Sequence, residues 1–287
     1  MGSMAPQTLL DDGRYDLHTH SVVSDGTLTP AEIVDEAADL GLAGIALTDH
    51  DTTGGWLQAA QRAADRGLSF VPGMELTTKT NGLAVHLLGY YIDPTYPPLR
   101  EVTDRIRGDR DRRARAMVQL LSDDIAFTWD DVLNVMADGA TVGRPHIADA
   151  LVSRGFYADR GAAFADVLHP GSKYYVPNYA VETVDGVRLI REAGGVPILA
   201  HPAAQRQRRA IPVSALVSLA EAGLYGIELD HPENRAEWLP PLRVAATELR
   251  LAVTGASDYH GAGKANRLGQ CTTDAEVVRA LAAEAHL

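Results

Sequence analysis

The chain has 287 residues, 46% of them apolar, and a formal net charge of −12. This is the balance of an ordinary globular protein, long enough for one large α/β domain or a domain with a sizeable insertion. No run approaches the ~18–20 apolar residues of a membrane span, the negative charge opposes long-range attraction of nucleic acid by the whole surface, and the single Cys271 cannot form an internal disulfide, which favours a reducing cytoplasm.

Met1–Met4 reads as an expression scar ahead of a native start at Met4, and no basic segment followed by an apolar one suggests a secretory leader. Tyr15–His18 reads as a short strand. Thr29-Pro30-Ala31-Glu32 opens a helix running to about Leu40. Thr29 is its N-cap, Pro30 takes the first position, where a missing N–H costs nothing, and Glu32 completes a capping box before Gly41 ends the helix. Gly44–Thr48 is a buried strand that delivers Asp49 and His50 at its end. Trp56–Arg66 is a helix closed by Gly67. Ser69–Leu76 is a strand ending near Glu75, and Leu83–Tyr91 is another with His86 inside it.

Pro94, Pro97 and Pro98 mark a boundary. Beyond them the pattern is helical, with helices expected at Leu99–Leu121, Trp129–Met136, Ile147–Arg154 and Ala162–Leu168. Strands return at Val196–Ala200, Gly226–Leu229 and Leu251–Gly255, and Thr183–Ala193, Pro212–Ala222 and Pro241–Leu249 have helical composition. The expected organisation is therefore a barrel in two parts, residues 1–97 and 177–287, interrupted by a helical insertion over 98–176. Strand-then-helix units with ligand-type residues at strand ends describe a barrel or parallel sheet, whose site lies at the carboxyl ends of the strands.

Those ends carry the chemistry. In a strand, residues i and i+2 point to one face, so His18 and His20 can aim two imidazoles at one point. Asp258 and His260 repeat the spacing, and His50, His86 and His201 bring the histidines so placed to six of the ten, with Asp25 and Glu75 beside them. Imidazoles and carboxylates crowded this way are costly to bury without a cation, and the mixed N/O set suits Zn, Mn or Fe.

In order along the chain, Asp16-Leu17-His18-Thr19-His20-Ser21 with Ser24-Asp25-Gly26-Thr27, Ala46-Leu47-Thr48-Asp49-His50-Asp51, Pro72-Gly73-Met74-Glu75, Val85-His86-Leu87-Leu88-Gly89, Leu199-Ala200-His201-Pro202 and Ser257-Asp258-Tyr259-His260-Gly261 strongly resemble the polymerase-and-histidinol-phosphatase (PHP) family of metal-dependent phosphoesterases. Gly143-Arg144-Pro145-His146 and Pro170-Gly171-Ser172-Lys173-Tyr174-Tyr175-Val176-Pro177 resemble its branch of small nucleotide phosphatases and 5′-to-3′ trimming exoribonucleases. The resemblance implies a distorted (β/α)7 barrel of the PHP type, with an inserted helical subdomain, holding two or three divalent metal ions. Carried over by position, His18, His20, Glu75 and Asp258 hold one metal, Glu75 bridges to a second held by His86 and His201, and Asp25, His50 and His260 hold a third. Many relatives have His where Asp25 stands, so a carboxylate hardens that third site.

The implied activity is that of a phosphoric ester hydrolase, with a hydroxide bridging two metals as nucleophile. Asp258 would orient or deprotonate the water, and His201 is a candidate to protonate the leaving group. Arg144, His146, Lys173 and Arg206 are the expected substrate contacts, because Arg and Lys recognise phosphate. The run Arg105, Arg107, Arg110, Arg112, Arg113 and Arg115 is interleaved with Asp104, Asp109 and Asp111, the pattern of a salt-bridged solvated helix face. Tyr174, Tyr175 and Tyr179 could stack a base or pack the insertion. The implied substrate is a small nucleotide such as a nucleoside 3′,5′-bisphosphate. The alternatives are a 5′-to-3′ exoribonuclease acting on short RNA and a non-catalytic, metal-stabilised domain that binds phosphorylated ligands. No membrane or protein partner is expected.

Overall fold

A computed structural model describes residues 12–205 and 209–285. The chain runs β1 (Arg14–Thr19), α1 (Pro30–Asp39), β2 (Gly44–Leu47), α2 (Trp56–Arg66), β3 (Ser69–Thr80), β4 (Leu83–Tyr90), α3 (Pro97–Ser122), α4 (Trp129–Leu133), α5 (Arg144–Ser153), α6 (Arg160–Asp166), β5 (Val181–Glu182), α7 (Thr183–Glu192), β6 (Val196–Leu199), α8 (Val213–Glu221), β7 (Gly226–Asp230), α9 (Leu239–Glu248), β8 (Ala252–Gly255), β9 (Thr273–Asp274) and α10 (Ala275–Glu284). The local signals act as expected at α1, where Thr29 Oγ1 accepts from the Glu32 N–H and the Glu32 carboxylate accepts from the Thr29 N–H. Gly67 ends α2 in the left-handed conformation at φ 67°, which a residue without Cβ adopts freely.

The strands form one sheet in the order β8-β7-β6-β4-β3-β2-β1-β9, with the short β5 pairing parallel to β3 off this path. It curls into a nearly closed barrel. The Thr19–Tyr259 bridge and the paired Gly255–Thr273 contacts draw its two edges together. The sheet is not wholly parallel. β4 runs antiparallel to both β3 and β6, and β9 antiparallel to β1. β3 continues four residues past the expected end at Leu76, because a Thr80-Asn81-Gly82 turn returns it directly into β4. Tyr15, Leu17, Val71, Leu88, Tyr90 and Ile198 fill the barrel interior, where Tyr90 Oη donates to the Leu17 carbonyl at 2.8 Å. A larger apolar layer packs α1, α2 and α7–α9 against the outside of the barrel. Helices α3–α6 contribute a separate cluster built on Met117, Leu121, Phe127, Ile147, Leu151 and Leu168. Among the described residues no helix is long and apolar enough to cross a membrane.

Candidate metal centre

The strand ends converge on Glu75, which is buried at the end of the parallel stretch of β3. Its two oxygens face different histidines. Oε2 stands 3.4 Å from His18 Nε2, 3.1 Å from His20 Nε2 and 3.1 Å from His50 Nδ1. Oε1 stands 2.6 Å from His86 Nδ1 and 3.0 Å from His201 Nε2. Asp258 Oδ1 adds a second carboxylate, 3.5 Å from His18 Nε2 and 3.4 Å from His20 Nε2. Asp25 lies on the other side, with Oδ1 3.2 Å from His260 Nε2 and Oδ2 3.7 Å from His50 Nε2.

These atoms form groups of cation-binding size, within 4.8 Å of one another: His18, His20, Glu75 and Asp258; His20, Asp25, His50 and His260; and His50, Glu75 and His86. The grouping differs in detail from the expected one. His20 reaches the Asp25 group as well as its own, and His50 faces both Glu75 and Asp25 through its two nitrogens. His201 shares the Glu75 oxygen that His86 uses. All nine expected ligand positions thus meet at one end of the barrel.

A cation fits these donors. His18 Nδ1 is 3.1 Å from Glu228 Oε1, His20 Nδ1 is 3.4 Å from Ser24 Oγ, and His260 Nδ1 is 2.9 Å from the Asp258 carbonyl. The Ser24 hydroxyl gives its proton to Asp49 at 2.6 Å, so it accepts from His20. Each Nδ1 therefore keeps its proton and each Nε2 offers its lone pair to the centre. The Nε2 atoms of His18, His20 and His260 are buried and make no hydrogen bond of good geometry. Buried polar atoms are seldom left that way without a partner.

The charges repeat the point. Burial alone would raise all three carboxyls. Instead His50 and His260 hold Asp25 well below the usual carboxylate range, His86, His50 and His18 do so for Glu75, and Lys264 and His18 do so for Asp258. Burial pulls His20 down, but Asp258 and Glu75 push it up to about 9, and Glu228, Glu75 and Asp258 lift His18 well above its ordinary value. Burial drives His50 well down, and burial with Lys264 and His20 lowers His260. Without an ion, the carboxylates favour protons on His18 and His20 at the place a cation would take.

The remaining carboxylates of the opening motifs fix backbone. Asp16 accepts from the N–H groups of Ser257 and Gly269 at 3.0 and 2.8 Å, tying the Asp258 loop to β1. Asp49 accepts from the Ser21 N–H and hydroxyl at 2.8 and 2.7 Å. Asp51 accepts from the Thr77 N–H and hydroxyl, both at 2.7 Å, and from Arg110 Nε at 3.0 Å. Asp51, His201 and Asp258 all have positive φ, at 56°, 25° and 54°. Non-glycine residues are strained there, and such strain gathers at functional sites.

The centre floors a cleft of about 800 Å³, on whose walls stand Arg110 and Arg113 from α3, Arg144 from α5, Tyr175, Phe164, Lys264 and Arg235. Arg144 Nη1 donates to the Leu168 carbonyl at 2.9 Å, and its guanidinium lies 5.7 Å from the Tyr175 ring. His146 is buried behind this wall and does not line the cleft; its Nδ1 accepts from the Gly143 N–H at 3.1 Å, closing the first turn of α5. Lys173 is not brought to the cleft either; it is exposed and pairs with Asp124 at 2.7 Å. Arg206 lies outside the described residues. The α3 arginines divide: Arg107, Arg112 and Arg115 pair with Asp104, Asp109 and Asp111 on the solvent side, whereas Arg110 and Arg113 face the cleft, so the solvated-face expectation holds for only part of the run. Tyr175 lines the cleft, Tyr179 lies under Arg105 at 3.8 Å, and Tyr174 donates to Asp124.

Sequence reasoning missed Glu228, His231 and Lys264. His231 stands just past the end of β7 and Glu228 inside that strand, so the strand-end signal that marked His50 and His201 could have found His231. Lys264 Nζ lies 2.5 Å from Asp258 Oδ2 through a loop that no strand pattern marks.

Comparison with known proteins adds the following. The family model described as PHP domain matches residues 16–125. The chain is 35% identical over 253 residues to a 3′,5′-nucleoside bisphosphate phosphatase of Chromobacterium violaceum, covering 88% of this chain and 89% of the relative. It is 30% identical to a 5′-3′ exoribonuclease of Haemophilus influenzae, covering 86% and 90%. A solved structure from Bifidobacterium adolescentis, assigned as a metal-dependent phosphoesterase, superposes with a TM-score of 0.93 at 40% identity, covering 95% of this chain and 96% of that one.

Proposed function

The chain belongs to the PHP family and is a phosphoric ester hydrolase, and from that premise we propose that it removes a phosphate from a small nucleotide, a nucleoside 3′,5′-bisphosphate being the substrate that best fits its cleft. The observation that carries this reading is the juxtaposition of Glu75, with imidazoles on both its oxygens, and a wall of arginines across the cleft. A volume of about 800 Å³ accommodates a mononucleotide.

In this reading His18, His20, Glu75 and Asp258 hold one divalent ion, Glu75 with His86 and His201 a second, and Asp25, His50 and His260 a third, the ions being Mn, Zn or Fe. Such ions supply a nucleophile at neutral pH and neutralise charge on the phosphoryl oxygens. Asp258 orients the attacking water through Oδ1 while Lys264 fixes its other oxygen. His201 is buried beside Glu75 with Nε2 facing Oε1, so in this reading that nitrogen serves the second ion and does not also carry a proton to the leaving oxygen. Arg144, Arg113 and Arg110 hold the non-reacting phosphate, where guanidinium forks match phosphate geometry. Tyr175 and Phe164 give a base an aromatic face. Residues 98–176 act as the subdomain that supplies this wall, and the working compartment is the reducing cytoplasm.

The test is phosphate release from mononucleotides, 3′,5′-bisphosphates and di- to tetranucleotides, with the metal content measured on the same preparation. Bisphosphate turnover without trimming of short RNA supports the reading. Preferred trimming of short RNA replaces it with the exoribonuclease alternative. Nucleotide binding without turnover by the metal-loaded protein leaves only a ligand-binding domain.

A further inference from the structure

We infer that Glu228 is a positioning residue that sets how His18 and His201 present themselves to metal, with His231 packed beside it. The inference rests on the reading of those two histidines as metal holders.

Glu228 is fully buried in the middle of β7. Its two oxygens are used on two different histidines. Oε1 lies 3.1 Å from His18 Nδ1, and Oε2 accepts the His201 backbone N–H at 2.9 Å. A carboxylate can only accept. His18 must therefore keep its proton on Nδ1, which leaves the Nε2 lone pair pointing at Glu75 and Asp258. The second bond holds His201 at φ 25°, a conformation that costs energy and persists only when its surroundings impose it. One side chain thus braces a histidine from each of the two groups that meet at Glu75.

His231 packs its ring edge-on against His201, with centroids 5.3 Å apart, and is not a ligand of a fourth ion, although it stands with His18 and Glu228 in a cluster of cation-binding size. Its Nδ1 accepts the Glu233 N–H at 3.1 Å. The ring proton is therefore on Nε2, which faces Asp258 Oδ2 at 3.6 Å and Glu228 Oε2 at 3.9 Å, beyond hydrogen-bond distance. No lone pair of His231 is left for a metal.

Glu228→Gln tests this because it keeps the shape and breaks the logic. An amide has one accepting and one donating end. If its oxygen serves His201, its NH₂ faces His18 Nδ1, which must then become an acceptor and move the proton to Nε2. If the amide turns over, its NH₂ meets the His201 N–H, donor against donor. The expected result is metal affinity weakened about 10–100-fold, a metal-free protein that still unfolds cooperatively though at a lower temperature because His18 loses its carboxylate partner, and phosphate release restored by excess metal. Unchanged affinity in the variant overturns the inference, and so does lost metal that follows only from a collapsed metal-free fold. Should the variant fail to accumulate, nitrogen-15 spectra of the metal-loaded wild type decide: a proton on His18 Nδ1 and on His231 Nε2 supports the brace, and the opposite tautomer on either refutes it. A wild type that binds no metal would sink the metal reading itself, a distinct outcome from equal binding by both proteins.

Discussion

Stripping the metal and raising the pH should weaken the fold between about pH 7 and 10, and reloading the metal should cancel that loss. In the metal-free protein the Asp258 and Glu75 carboxylates raise His20 from its ordinary 6.5 to about 9. A group raised on folding stabilises fully below its unfolded value, and that stability disappears as pH rises through the folded value. At about 1.4 kcal/mol for each tenfold in proton affinity, His20 contributes roughly 3 kcal/mol that is present at pH 6.5 and gone by pH 10. His18 acts in the same direction, while His50 and His260, both lowered, oppose stability only below about 6.5. The carboxyls of Asp25, Glu75 and Asp258, all lowered, lose their contribution only in acid. The metal-free optimum therefore lies near neutrality. For a chain of this size the alkaline loss should appear as a fall of roughly 6–10 °C in melting temperature. Thermal scans of chelated and reloaded protein from pH 6.5 to 10 measure it, with His20→Asn as the control that should flatten the alkaline limb. Equal slopes in chelated and loaded protein, or an unchanged slope in His20→Asn, would refute the argument.

The same protonation makes metal binding proton-releasing near pH 7.5, so its calorimetric heat should depend on the ionisation enthalpy of the buffer, and affinity should rise with pH toward 9. Glu75→Gln removes the acceptor shared by both sides of the centre and should abolish at least two metal equivalents with a loss of phosphate release on the order of a thousandfold, about 4 kcal/mol; elemental analysis beside initial rates measures both. Arg144→Ala should raise KM for a bisphosphate about tenfold or more, as expected for a hydrogen bond to a charged group, whereas Lys173→Ala, which removes an exposed pair with Asp124, should leave the kinetics within about twofold. Gly44→Ala should destabilise by about 1–3 kcal/mol in urea unfolding, because its Cβ would stand 2.4 Å from Tyr15 Cε1 and 2.6 Å from the Ser69 carbonyl.

The barrel half of the fold was legible because its strands and caps act locally. Thr29, Glu32 and Gly67 do their work within one helical turn, and the apolar runs before His50 and His201 mark strands whose ends are the site. What stayed hidden depends on distant partners. Asp51 and Arg110 are separated by 59 residues and meet only because α3 lies across the barrel mouth, so the arginine run could not be split into cleft-facing and solvent-facing members. His146 and Lys173 have the residue types for phosphate, but one is consumed in capping α5 and the other by Asp124. The two-residue strands β5 and β9 carry no periodicity long enough to see.

His86 shows how topology, and not motif spacing, completes the centre. A parallel strand would carry its ligand at its carboxyl end, as β2 and β6 do. His86 sits instead in the first half of β4, four residues into the strand from Leu83. It reaches the site because β4 reverses direction: in the β3–β4 ladder His86 pairs with Thr77, and Glu75 pairs with Leu88. Residues two apart along a strand share a face, so His86 lies diagonally across from Glu75 and closes on its Oε1 at 2.6 Å. The opposite neighbour uses the same reversal, with the Ala200 N–H donating to the His86 carbonyl at 3.1 Å and His201 following it into the site. Thr77, opposite His86, receives Arg110 on its hydroxyl at 2.6 Å and gives its own proton to Asp51. The hairpin thus presents a carboxylate, an imidazole and the foot of the arginine wall on one face, with His201 beside them from the end of β6. A one-residue slip in its register would turn Glu75 and His86 to opposite sides, which is why the long β3–β4 ladder beyond the barrel, out to Thr80 and Leu83, stabilises the chemistry as well as the fold.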